Sequence, residues 1–215
     1  MRIIGLTGSI GMGKSTTLRL FAEEGCATWD ADAAVHRLYA PGGAAVEPVS
    51  AQFGAVTGPD GGIDRALLFD RLQADPQGFG RLEAIVHPLV RLDREAWLEA
   101  AGIEGRSFAV VDVPLLFETD GHDQVEAIVV VSAPAHEQRR RVMARPGMTE
   151  DRFEQILARQ TPDAEKRRRA DFVVDTGDGV EAARRQVREI LATLSTSGWR
   201  SGRSDALHRT AERGE

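Results

Sequence analysis

The sequence is poor in several residue types, and each shortage closes off a class of protein. A single cysteine, Cys26, excludes an intrachain disulfide and makes a cysteine-based zinc site implausible. There is no asparagine, so the Asn-Lys-x-Asp motif by which GTPase-type switches read guanine cannot exist here. Lysine is nearly missing: Lys14 and Lys166 stand against 25 arginines. No apolar run approaches the roughly 18 residues of a membrane span. The formal net charge of −6 argues against a general binder of nucleic acid or anionic membrane.

What remains is a chain of 215 residues, 42% apolar and 28% charged, long enough to bury a real core. Short β-rich runs alternate with longer helical stretches, which predicts an α/β fold with a mainly parallel sheet. Strands are expected at Arg2–Thr7, weakly at Ala27–Trp29, then at Phe108–Val113, Ala127–Ser132 and Phe172–Val174. The chain between residues 33 and 105 reads as a helical insertion, with Pro88 opening or kinking a helix inside Leu82–Ala100. An arginine-rich helix over Ala135–Ala144 and two polar helices over Glu150–Gln160 and Asp163–Arg169 follow, and Val180–Leu194 reads as an amphipathic closing helix. One domain over residues 1–195 is expected, with a lid region at 141–170 and a frayed tail over 196–215. The first residues enter the first strand directly, so no leader is expected and the expected location is the cytoplasm.

Gly8-Ser9-Ile10-Gly11-Met12-Gly13-Lys14-Ser15 has the spacing of a P-loop. The glycines let the backbone turn so that successive N–H groups point at phosphate oxygens. The helix that follows presents the positive end of its dipole to the same anion. Lys14 supplies a mobile charge for the β- and γ-phosphates, and Ser15 offers a hydroxyl to magnesium. A Gly-rich turn that binds nothing is the bland alternative, but a chance match along this chain is on the order of two in a thousand. The strand before it and the amphipathic helix after it supply the required context.

Asp30-Ala31-Asp32 follows the second strand, where a doubly wound fold opens its crevice. A carboxylate there can take the proton of an attacking hydroxyl, as phosphoryl transfer to an alcohol requires. Asp32 before Ala33-Ala34-Val35 would equally serve as a helix cap. Beside a P-loop the base reading is preferred for Asp32, with Asp30 as support. Asp112 ends the third strand in a Walker-B arrangement and can hold magnesium through water, although a turn residue before Pro114 is about as common. Glu118 is a weaker candidate of that type. Arg141 and Arg145 are i, i+4 neighbours and share a helix face, either as a solvated basic face or as a lid that brings guanidinium groups to the migrating phosphoryl group. Arg139 and Arg140 carry no preference, and the run Lys166 to Arg169 reads only as a solvated basic face. The spacing of His87-Pro88-Leu89-Val90-Arg91 does not decide its role.

Taken in order, these segments resemble the dephospho-coenzyme A kinase family. The resemblance runs from Arg2 to about Leu194. It is carried by Ile4-Gly5-Leu6-Thr7-Gly8 leading into the P-loop, Asp30-Ala31-Asp32 with His36, Ile63-Asp64-Arg65, and His87-Pro88 with Arg91. Asp112-Val113-Pro114-Leu115-Leu116-Phe117-Glu118, Arg141 with Arg145, and Gln155-Ile156-Leu157 with Gln160 complete it. It implies a P-loop kinase fold with a five-stranded core, a helical acceptor-binding insertion and a lid. It also implies transfer of the γ-phosphoryl group of ATP to the ribose 3′-hydroxyl of dephospho-CoA, the last step of coenzyme A synthesis. Asp32 is then the base, with Lys14 and Arg141 stabilising the transferring group. Gly11, Met12, Gly13, Lys14, Ser15, Thr16, Arg141 and Arg145 hold ATP, while Thr7, Asp32, His36, Arg65 and His87 hold the acceptor. Ser15 and Asp112 hold Mg2+, and a monomer is expected. Two positions depart from the family: Pro146 where it usually has an acidic residue, and Thr176 where it often has an Asn near the adenine pocket. Rival readings are a P-loop kinase for another small acceptor, such as a nucleoside monophosphate, and a nonenzymatic ATP-binding module.

Overall fold

Strand β1 (Arg2–Thr7) lies between β3 (Phe108–Asp112) and β4 (Ala127–Ser132) in a five-stranded sheet of order β2-β3-β1-β4-β5, with β2 at Ala27–Asp30 and β5 at Phe172–Asp175. The computed structural model describes residues 1–118 and 124–201. β1 runs parallel to β3 and β4, and β4 to β5. β4, Ala-Ile-Val-Val-Val-Ser, is buried along its whole length. Strands covered on both faces read as unbroken apolar runs, and this one does. Ile4, Leu6, Val129, Val131 and Val174 meet Leu18 and Phe21 of α1 (Lys14–Glu23) and Ala183, Val187, Ile190 and Leu194 of α9 (Val180–Leu194) in one core. Cys26 belongs to it, and burial together with the charge of Glu24 pushes its thiol up to about 11.

The chain forms two compact units: Met1–Thr28 with the chain from Gly105 onward, and Trp29–Glu104. The second unit holds α2 (Ala31–Tyr39), α3 (Val46–Phe53), α4 (Arg65–Gln73) and α5 (Gly78–Ile103) around Leu38, Val49, Val56, Leu68, Leu72 and Val86. Its start at Trp29 rather than residue 33 has a local cause. The Trp29 indole donates to Asp93 on α5 at 2.7 Å, so the end of β2 is already tied to the helices. α5 runs through Pro88 without opening a new helix there. Pro88 lacks an N–H, and its position on an exposed face leaves the carbonyl one turn back to water.

The first unit is completed by α6 (Ala135–Met143), α7 (Glu150–Ala158) and α8 (Asp163–Arg169). Two expectations fail in this unit. Lys166 is not part of a solvated face but is fully buried in α8. The chain also does not fray at residue 196. Trp199 stacks on Phe172 with ring centroids 5.7 Å apart, and the Arg2 guanidinium lies 5.4 Å from the same ring. Ser201 is buried and donates to Asp171, whose other oxygen accepts the Ile128 amide at 2.8 Å. This segment therefore closes the amino-terminal edge of the sheet, while residues 202–215 of the expected tail lie outside the described residues.

Candidate active site

At the opposite, carboxyl-terminal edge of the sheet the register pairs Leu6 with Asp112 and Thr7 with Val130, which places the end of β3 beside the start of the P-loop. Gly11 and Gly13 sit at φ 80° and 94°, the left-handed region that side chains with a Cβ resist. At Gly11 a Cβ would also come within 2.5 Å of Val142 on α6, so only glycine lets the loop approach that helix. Gly13 is the N-cap of α1 and supplies no side-chain acceptor. The first amide of this helix with a backbone acceptor is Thr17, bonded to the Gly13 carbonyl at 3.0 Å. The amides of Lys14, Ser15 and Thr16 have no acceptor among the described residues. Together with the helix dipole they form a ready site for an anion.

Lys14 Nζ is paired with both carboxylate oxygens of Asp112, which is almost wholly buried. Ser15 is exposed at the first turn of α1. The Thr7 hydroxyl is buried and donates to the Pro114 carbonyl at 3.2 Å, which fixes the bend that follows β3. Glu118, the weaker candidate for the metal, is instead turned toward the segment around α8, where it accepts the Thr161 amide.

Arg141 on α6 donates to the Thr176 hydroxyl and to the Thr176 carbonyl, each at 2.8 Å. The Thr176 hydroxyl in turn donates to the Met12 carbonyl at 2.8 Å. The guanidinium expected for the lid is thus tied to the P-loop through one hydroxyl. Gly13, Thr16, Thr17, Arg141, Thr176 and Val180 line a pocket of about 240 Å³ beside the first turn of α1. Its place beside the cradle suits a nucleoside whose phosphates lie on the α1 amides. Met12 contributes twice, since its sulfur also accepts the Ala133 amide at 3.2 Å. Arg145 is exposed beyond the end of α6. Arg139 and Arg140 form ion pairs with Glu150 and Glu137, the ordinary use of a basic helix face.

In the helical unit, Asp30 rather than Asp32 is the N-cap of α2, its carboxylate accepting the Ala33 amide at 3.0 Å. Asp32 lies in the first turn and is exposed, with exposed His36 one turn further along the same face. Arg65 is exposed at the start of α4, its guanidinium 5.6 Å from the Tyr39 ring. His87 is exposed on α5 with Arg91 one turn on. Sequence reasoning missed the two glutamines that grip the P-loop. Gln138 donates to the Ile10 carbonyl at 2.8 Å, and Gln160 accepts the Ile10 amide at 3.1 Å. Gln160 belongs to a recognised segment, but nothing local in the sequence pairs either glutamine with Ile10.

Comparison with known proteins agrees with this geometry. A family model described as Dephospho-CoA kinase matches residues 2–181. The Dephospho-CoA kinase of Agrobacterium fabrum is 58% identical over 194 residues, spanning 90% of this chain and 98% of its own length. That of Mesorhizobium japonicum is 55% identical over 195 residues, spanning 90% of this chain and 97% of its own. Among solved structures, TT1252 from Thermus thermophilus superposes with a TM-score of 0.74 at 32% identity, covering 91% of this chain and 98% of that one. The dephospho-CoA kinase from Campylobacter jejuni shares the fold, with a TM-score of 0.63 at 21% identity, covering 89% and 96% of the two chains.

Proposed function

The chain belongs to the dephospho-CoA kinase family, and on that premise we propose which of its residues carry the reaction. The activity is transfer of the γ-phosphoryl group of ATP to the ribose 3′-hydroxyl of dephospho-CoA, giving coenzyme A and ADP. The observation that carries the reading of the site is the α1 amide cradle, with Lys14 and Asp112 beside it and Arg141 tethered to it through Thr176.

ATP enters with its phosphates on the amides at the start of α1 and its base in the pocket beside Arg141 and Thr176. Because the Thr176 hydroxyl donates its one proton to the Met12 carbonyl, it has none left for the base, which rests on backbone groups of the pocket. Lys14 passes from Asp112 to the β- and γ-phosphate oxygens, where its charge offsets the negative charge of the transition state. Arg141 acts on the same charge, and Arg145 adds a second guanidinium from the lid. Asp32, an exposed carboxylate not engaged in capping α2, takes the proton of the attacking hydroxyl. His36, Arg65 and His87, all exposed in the helical unit, are assigned to acceptor binding, and Thr7 shapes the bend beside the site.

Ser15 and Asp112 fit magnesium, since a hydroxyl and a carboxylate completed by waters and phosphate oxygens are the hard donors that ion takes. Among the described residues no three His, Cys, Asp or Glu side chains converge, which suits an ion held mainly by substrate and water. When bound, the ion would neutralise charge on the β- and γ-phosphates. Among the described residues no helix is long and apolar enough to cross a membrane. We place the protein in the cytoplasm with its ATP supply, acting as a monomer.

The test is a coupled ADP-release assay with Mg-ATP, offering dephospho-CoA, AMP, CMP and gluconate as acceptors. Turnover with dephospho-CoA alone is the expected result, and turnover only with another acceptor would overturn the assignment. In the same assay Asp32→Ala abolishes transfer while calorimetric ADP affinity stays close to wild type. A variant that keeps most of its turnover would remove Asp32 as the base.

A further inference from the structure

Lys166 stands at the head of the run Lys166-Arg167-Arg168-Arg169, yet its side chain is 0% exposed while Arg167 and Arg168 face solvent. A buried ammonium is costly unless it is paired. Its Nζ lies 3.1 Å from Glu118 Oε1, and the same oxygen accepts the Thr161 amide at 2.7 Å. Burial works against the Glu118 charge, but the Thr161 amide and the Lys166 ammonium outweigh it and hold the carboxyl below its ordinary range. The Arg169 guanidinium adds a contact 4.4 Å from the Phe117 ring. The segment that leaves Asp112 and the helix that carries Lys166 are therefore locked together.

The residue before Thr161 is Gln160, whose side chain accepts the Ile10 amide of the P-loop. We infer that the Glu118–Lys166 pair is a strut that positions the phosphate cradle, acting through the Thr161 amide and Gln160 on Ile10. Gln138 holds the Ile10 carbonyl from α6, so both backbone groups of that residue are gripped by side chains distant in the chain. A loop with two glycines at positive φ is otherwise soft, and its use depends on where its amides point. An apolar pair of similar volume would fill the same space without desolvating two charges. It would not give the Thr161 amide an acceptor.

The inference rests on the kinase reading for its consequence but not for its readout, which is calorimetric affinity for ADP. Four variants are compared: Gln160→Ala, Lys166→Met, the double Lys166→Met/Gln160→Ala and the apolar double Glu118→Leu/Lys166→Met. Gln160→Ala is expected to weaken ADP binding and raise KM for ATP roughly five- to tenfold, the worth of one lost hydrogen bond. KM for dephospho-CoA stays within about twofold, since the acceptor does not use these contacts. Lys166→Met does the same, and Lys166→Met/Gln160→Ala is no weaker than the worse single variant, because the two residues act in series. Should Lys166→Met leave the lone Glu118 charge intolerable to the fold, the apolar double decides. It melts near wild type and still binds ADP weakly.

Wild-type ADP affinity in Gln160→Ala or in the folded double overturns the strut. So do additive losses, or an equal rise in KM for both substrates. Failure of the wild-type protein to use dephospho-CoA would strike the kinase reading alone, leaving the ADP affinities to judge the strut.

Discussion

Thr176→Val keeps the shape of a side chain that is 8% exposed and removes only its hydroxyl. That hydroxyl donates to the Met12 carbonyl and accepts from Arg141, both at 2.8 Å. Met12 is buried, so its carbonyl loses its donor in a place water does not readily reach, a loss of about 1–3 kcal/mol. Arg141 is partly exposed and keeps its bond to the Thr176 carbonyl, so loss of the hydroxyl there adds only about 0.5–1 kcal/mol. The total is about 1.5–4 kcal/mol, which in a chain of this size lowers the melting temperature by about 3–16 °C. The functional loss is separate. Without the hydroxyl that joins it to the P-loop, and held only by the Thr176 carbonyl, the guanidinium is less well aimed at the transferring group, and kcat with saturating substrates falls roughly tenfold. Scanning calorimetry and the coupled assay measure both effects. A variant with wild-type melting and wild-type kcat would refute the claim that this hydroxyl joins Arg141 to the P-loop. Lower melting with unchanged kcat would keep the hydrogen bonds and discard their role in aiming the arginine.

Truncation after Ser197 removes the Trp199 stacking on Phe172 and the Ser201 bond to Asp171. It should lower stability by about 2 kcal/mol while leaving kcat unchanged, since both contacts lie at the edge of the sheet opposite the site. A truncated protein that melts like wild type would refute it. Asp93 is worked on by burial, which raises its pKa, but the Arg37 and Trp29 hydrogen bonds outweigh burial and hold the carboxyl below its ordinary value. A depressed pKa gives stability that is present above about pH 4 and lost as the pH falls through the folded-state value. Asp93→Ala should therefore cost about 1–2 kcal/mol in urea unfolding at pH 7, discounted for the exposure of Arg37. The gap should narrow near pH 3, and a gap of constant size at both pH values would contradict it.

Contiguous chemistry was legible in the sequence because its physics is local. Gly11, Gly13, Lys14 and Ser15 dictate a turn and a helix start by their own backbone preferences, and β4 announces its burial on both faces by its unbroken apolar run. The order of elements and the P-loop kinase fold follow from such signals. The edges were less legible. Asp30 and Asp32 are both good caps, and only the point at which β2 stops made Asp30 the cap and left Asp32 exposed. Lys166 reads as solvated beside three arginines, and it is buried because Glu118, far away in the chain, folds against it. Ile10 finds Gln160 across 150 residues, and Met12 finds Thr176 across 164. Trp199 reads as part of a polar tail until Phe172 and Arg2 are brought beneath it. In each case the side chain has several satisfactory partners on paper, and the packing of the sheet and its helices decides which one is within reach. The sequence alone thus determined the phosphate chemistry and the layers around it, whereas only the tertiary structure decided which side chains hold that chemistry in place.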